Sequence, residues 1–188
     1  PDFIARNIWW RLDSGPHDTE LHRDWCEKNR LNFGGPDGSG FAPNSGNMYD
    51  AIVASQRAEF DAHPEYVASV NGVRQQPDGP TVKFNFASPG LREVVKRYAI
   101  EFFEKNPAAE CISMSPSDGG GWDDSPENAR MGSISDRVVG LANEVAEAVN
   151  AHFHRPLYVH LYIYDAYSAP PTIKVHPMLI VEQAQGFN

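Results

Sequence analysis

The sequence predicts an α/β fold, in particular an incomplete or truncated TIM-like (β/α) barrel of about six strands. Two patterns point there. Strand-like and helix-like segments alternate through the second half of the 188-residue chain, the signature of parallel α/β architecture. In the best candidate strands the polar residues also fall on one side. A doubly wound sheet covers both faces with helices, whereas a barrel turns one face inward. Asn85, His160 and the tyrosines at 158, 162 and 164 would then line an interior. Six strands are too few for eight-stranded closure, and residues 1–188 are taken as one partial barrel domain.

Taken in order, FIARNIWW at 3–10 reads as a strand. DTELHRDWCEKNR follows as a helix, with Leu21, Trp25 and Cys26 on one side. LNFGG is a short strand leading into the loop PDGSGFAPNSG. A less amphipathic helical stretch covers roughly residues 48–60. HPEYVASVNGVR is a compact local unit ending in an Asn71-Gly72 turn. TVKFNFA is a strand with Lys83, Asn85 and Ala87 opposite Val82, Phe84 and Phe86. Ser88 caps the next helix and Pro89 suits its first position. Leu91, Val94, Val95, Tyr98 and Phe102 form its apolar stripe. Asn106-Pro107 ends that helix, and ECISMS is a buried strand. A further helix, with Ser135 as candidate cap, carries Val138, Leu141, Ala142, Val145 and Val149. It feeds PLYVHLYIYD, whose tyrosines and His160 alternate with Val159, Leu161 and Ile163. MLIVEQ is the last strand.

A net charge of −9 and pI near 5.2 disfavour a nucleic-acid backbone binder. The longest apolar runs are too short for a membrane span, and no signal peptide is visible. Cys26 and Cys111 belong to no CxxC pair; two buried thiols or one disulfide both fit. The ends PDFIARN and GFN lack an obvious cap or terminal helix, so a fragment of a larger protein is expected.

Ligands of α/β folds sit beyond the carboxyl ends of the strands. That rule selects Asp118, Trp122, Asp165 and Glu182, together with Asn85, Tyr162 and Tyr164. The centre of interest is SPSDGGGWDD at 115–124, where three glycines stand beside a large aromatic. Asp118 suits general acid, general base or ligand contact, and equally a backbone-shaping role in the loop. Trp122 suits stacking on a sugar ring or a packed lid. Glycoside cleavage needs two carboxylates, and Glu182 is the candidate partner, with Asp165, Asp123 and Asp124 behind it. Asp123 and Asp124 are expected to be a solvated pair. Tyr162 and Tyr164 suit sugar oxygens or barrel packing alike. Asp165 falls on the opposite parity of its strand. The glycine run lacks the Lys-Ser or Lys-Thr of a phosphate loop and is no dinucleotide fingerprint. The histidines form no metal motif, no GxSxG elbow is present, and neither metal nor cofactor is expected.

Several segments together resemble the DUF4838 domain family of glycoside-hydrolase-like proteins. They are HPEYVASVNGVR, FASPGLREVVKRYAIEFFEKNPAAECISMSPSDGGGW, SISDRVVGLANEVAEAV, YVHLYIYDAYSAPP and VHPMLIV. The resemblance implies a TIM-barrel relative of α-glucuronidases and hexosaminidases, found in secreted or envelope proteins that degrade polysaccharides. It carries the DGGG aspartate onto Asp118 and the Tyr-x-Tyr segment onto Tyr162 and Tyr164. Family members carry cysteines just after the glycines; WDDSPENARMG has none. The expected function is therefore a carbohydrate-active domain, a glycoside hydrolase with Asp118 and Glu182 as catalytic pair and Trp122, Tyr162, Tyr164, Asn85 and Asp165 binding substrate. Two alternatives stand beside it: a carbohydrate-binding module without catalysis, and a structural domain contacting other domains of its parent.

Overall fold

A computed structural model describes residues 47–79 and 81–183, with Asp24, Trp25 and Lys28. The chain divides into two units, Pro1–Pro43 and Asn44–Asn188. Of the first, the three described residues are helical; the predicted strands FIARNIWW and LNFGG lie outside the described residues. Everything below concerns the second unit.

Residues 48–60, expected as one helix, form two: α1 (Tyr49–Ser55) and α2 (Arg57–Ala62), parted at Gln56. After a 3₁₀ turn at Pro64–Tyr66 the chain makes a hairpin of β1 (Ser69–Val70) and β2 (Val73–Arg74). Its turn residues Asn71 and Gly72 have φ of +51° and +76°, the left-handed pair that a tight two-residue hairpin needs. Helix α3 (Pro89–Lys105) starts where Ser88 Oγ accepts from Leu91 N–H and Pro89 takes the first position. It leads to β3 (Cys111–Ser113), a short α4 (Pro126–Ala129) and α5 (Ile134–Phe153). Then come β4 (Tyr158–Ile163), a 3₁₀ turn at Asp165–Tyr167 and β5 (Leu179–Gln183).

Strands β3, β4 and β5 form a parallel sheet in that order, pairing Ser113 with His160 and Tyr162 with Glu182. One face carries Ile112, Val159 and Leu161, all fully buried, into a core shared with α3 and α5. All five predicted stripe residues of α5 are buried there. In α3 the buried line is Leu91, Val94, Val95, Ala99 and Phe103, while Tyr98 and Phe102 are partly buried at its border. Because 3.6 residues make a turn, the face drifts along a 17-residue helix.

The barrel expectation is corrected. Among the described residues there are two small, separate sheets of two and three strands, and neither closes. Residues 81–87 keep the predicted alternation, with Val82, Phe84 and Phe86 buried. Yet they make only an isolated antiparallel bridge, Phe84 to Val67. Their backbone bonds go back to Tyr66 and Ala68, 2.8 and 2.9 Å, instead of outward to β3. Alternation reports a half-buried extended chain and does not name its neighbour.

Asp136 ties the helix layer to the connection that leads into β5. It completes a capping box at the start of α5 with Ser133, the observed cap in place of Ser135. Its other oxygen accepts from Thr172 N–H at 2.5 Å and Ile173 N–H at 3.3 Å. These bonds, led by those of Ser133, hold its carboxyl well below the usual carboxylate range. Such a group stabilises the fold above its unfolded pKa, and the contribution is lost as pH falls toward the folded value. Asp136→Asn is expected to melt at lower temperature than the parent at pH 7. The gap should shrink steadily below about pH 4; thermal melts from pH 7 to pH 2 measure both.

Candidate functional site

Beyond β3 the chain stays buried through Ser117 and surfaces at Asp118. Tyr164, just past β4, donates its hydroxyl to Asp118 Oδ1. The backbone carbonyl of Asp118 accepts from Lys83 Nζ at 2.9 Å, and the same ammonium donates to Thr81 O at 3.0 Å. Lys83 is fully buried, with Nζ 5.2 Å from the centre of the Trp122 ring. Burial pushes its ammonium down to about 8, while the charges of Asp118 and Asp165 pull the other way. Burial also raises the Tyr164 phenol, helped by the Asp118 bond.

The glycines differ in what they do. Gly119 and Gly121 have φ of +79° and +84°, which side chains resist. A Cβ on Gly121 would also lie 2.8 Å from the amide nitrogen of Gln75, which donates to Gly121 O at 3.2 Å. Gly120 has neither constraint: its φ is not positive and no atom crowds its Cβ position. The loop therefore needs two of its three glycines to reverse the chain and deliver Trp122 inward. There the indole lies parallel to Phe86 at 6.5 Å and edge-on to Tyr167 at 5.4 Å.

The expected solvated pair Asp123-Asp124 is corrected at its first member. Asp123 is 2% exposed; it accepts from Ser69 N–H at 2.7 Å and Ser125 N–H at 2.9 Å and faces Arg74 at 3.6 Å. Asp124 is exposed and accepts from Asn71 N–H at 2.7 Å.

The remaining candidates are spread out. Asp165 is exposed beside Tyr164, at a left-handed φ of +48°. Glu182 on β5 meets the buried His160 Nε2 at 3.2 Å, and the Tyr162 ring stands edge-on to that imidazole at 4.7 Å. Asn85 bonds Glu65 O and the buried Asn128, 2.9 and 2.6 Å. It lines an open cavity of ≈ 560 Å³ with His63, Glu65, Arg74 and Glu127. The structure thus brings together Asp118, Tyr164, Lys83 and Trp122, with Asp165 close enough to act on Lys83 and Tyr164 electrostatically. Glu182 and Asn85 belong to separate polar networks. Lys83 and Tyr167 were not foreseen as site residues, and Asp123 only as a remote candidate for the second carboxylate. A lysine inside an otherwise apolar alternation, TVKFNFA, is the signal that could have marked the first.

A family model described as a domain of unknown function, DUF4838, matches residues 1–185. The chain belongs to that family. No curated protein and no solved structure matches it. The description of the DUF4838 family names neither a fold nor an activity. The glycoside-hydrolase and polysaccharide-degradation expectation is corrected by the unclosed sheets. The proposed pair, Asp118 and Glu182, is also held by different partners, Tyr164 and His160. Among the described residues no group of three or more His, Cys, Asp or Glu side chains is placed to hold a metal ion. None of their helices is long and apolar enough to cross a membrane.

Two measurements test this DUF4838 loop. Gly121→Ala is expected to cost about 1–2 kcal/mol in urea unfolding from backbone strain alone, and Gly119→Ala a similar amount. Gly120→Ala should stay within about 0.5 kcal/mol of the parent. Lys83 holds its proton more weakly folded than unfolded, so stability should rise from pH 8 toward pH 10.5. Lys83→Met should lack that rise in melts across the same range.

Proposed function

We propose that the Asp118 loop is a non-catalytic binding site for a small ligand rich in hydrogen-bond donors. One observation carries this: Asp118 presents an exposed carboxylate on a backbone that the molecule holds still. Tyr164 fixes one oxygen and Lys83 fixes the carbonyl of the same residue, which leaves acceptor capacity on the carboxylate for a ligand. A preorganised acceptor loses little freedom on binding. Asp165 adds a second exposed carboxylate near Tyr164. Parallel strands end at this edge, the usual place for ligands in α/β sheets. Carbohydrate is one class of molecule with the required hydroxyls, and it enters here as a bound partner that undergoes no bond cleavage.

Backbone NMR shifts of the parent chain during titration with D-glucose, D-glucosamine and D-glucuronate test the reading. Glucose and glucosamine should perturb residues 117–122 and 164–167, and the glucuronate anion should bind more weakly. Asp118→Asn should weaken binding by roughly tenfold, the loss expected for one charge-assisted hydrogen bond. Equal affinity in a folded Asp118→Asn chain, or no shift with any probe, would overturn it.

A further inference from the structure

We propose that the open cavity between the β1–β2 hairpin and the first turn of α3 is a second binding site. Its ligand is a small zwitterion of the free α-amino acid class. The site shares no residue with the Asp118 loop and goes beyond the reading given to that loop.

The cavity holds ≈ 560 Å³ and is open as it stands. Opposite charges line it without neutralising one another. Arg74 and Glu65 are close enough to interact electrostatically, yet among the described residues they form no ion pair with each other. Arg74 is held in place, because its Nη1 donates to Val67 O at 2.6 Å and faces the buried Asp123 at 3.6 Å. Its Nε and Nη2 remain as donors on a positioned guanidinium. Glu65 engages His63 Nδ1 through one oxygen, at 3.0 Å, which leaves the other. Glu127, also on the cavity wall, is exposed and meets Arg130 at 3.7 Å.

Tyr66 and α3 complete the donor side. Tyr66 lines the cavity at 7% exposure, and its hydroxyl bonds no group among the described residues. A polar group withdrawn that far from water ordinarily has a partner. This hydroxyl lies against the start of α3: a Cβ on Gly90 would stand 2.5 Å from it. In that turn Pro89 has no N–H, and the Leu91 N–H is taken by Ser88 Oγ at 3.3 Å. The Gly90 amide is the first-turn donor left over. Ser88 accepts through its oxygen and can still donate its proton. A carboxylate fits these donors, with Arg74 supplying the charge and the α3 N-terminus reinforcing it. The two glutamates repel a plain anion from the same cavity and suit an ammonium group. A molecule that carries both groups satisfies both halves; a simple carboxylate satisfies one.

Backbone NMR shifts of the chain during titration with L-alanine test this, with N-acetyl-L-alanine as carboxylate-only probe and L-alaninamide as ammonium-only probe. L-alanine should perturb residues 63–66, 74, 87–90 and 125–127, and each half-probe should bind several-fold more weakly. Tyr66→Phe keeps the ring and removes a hydroxyl that no described group uses. It should melt with the parent and bind L-alanine several-fold more weakly. Glu127→Gln should weaken L-alanine and L-alaninamide while leaving N-acetyl-L-alanine unchanged. If Tyr66→Phe melts lower than the parent, that contrast in Glu127→Gln decides. Equal affinity of the parent for L-alanine and N-acetyl-L-alanine overturns the proposal, as does unchanged L-alanine affinity in the deciding variant. No shift at the cavity with any probe overturns it too. The Asp118 reading stands or falls separately, on the sugar titration.

Discussion

Much of this arrangement hangs on one buried carboxylate. Asp123 receives the Ser69 and Ser125 amides, faces Arg74, and offers its carbonyl to Arg137 Nη1 at 2.9 Å. Through those contacts the β1–β2 hairpin, the cap of α4 and the first turns of α5 meet at a single residue. A carboxylate with these donors around it can be taken out of water; stripped of them it could not. The position of Trp122 follows, because its C-terminal neighbour is fixed to the hairpin. Asp124 N–H bonds Ser69 O at 3.0 Å, so the next residue is held on the same strand.

On the other side of the indole, the Asp118 backbone is tied to Thr81 through the Lys83 ammonium. The loop is therefore anchored at both ends to the segment 66–85, with the turn at Gly119 and Gly121 between the anchors. This explains a glycine run beside a large aromatic. The chain must reverse within a few residues and still bring the ring of residue 122 back against Phe86. Positive φ at two positions does that, and the third glycine fills a place where the surroundings ask for nothing.

Those parts of the fold governed by a local pattern were legible in the sequence. The α5 stripe, the Ser88-Pro89 start of α3, the Asn71-Gly72 turn and the strand alternation of β4 each rest on residues close together in the chain. What failed was partnership over distance. Val82, Phe84 and Phe86 declared an extended, half-buried segment, but nothing in TVKFNFA says that its backbone bonds return to Tyr66 and Ala68. Counting it as a barrel strand helped to turn a three-stranded sheet into a barrel. The site suffered in the same way. Asp118 and Tyr164 were both singled out, and they meet, yet their contact depends on parallel pairing of β3 with β4. Asp123 read as surface charge because a buried carboxylate is recognisable only from the amides around it. Composition alone makes such burial uncommon.

Asp165 shows the same tension from the side of the backbone. At φ +48° it occupies a conformation that glycine adopts without steric penalty and that an aspartate enters at some cost. A chain shaped for thermal endurance alone would favour glycine there. The residue that stands in its place gives up a little folding energy and keeps a negative charge beside Tyr164 at the rim. Backbone economy and surface chemistry pull in opposite directions at that residue, and the charge has been kept.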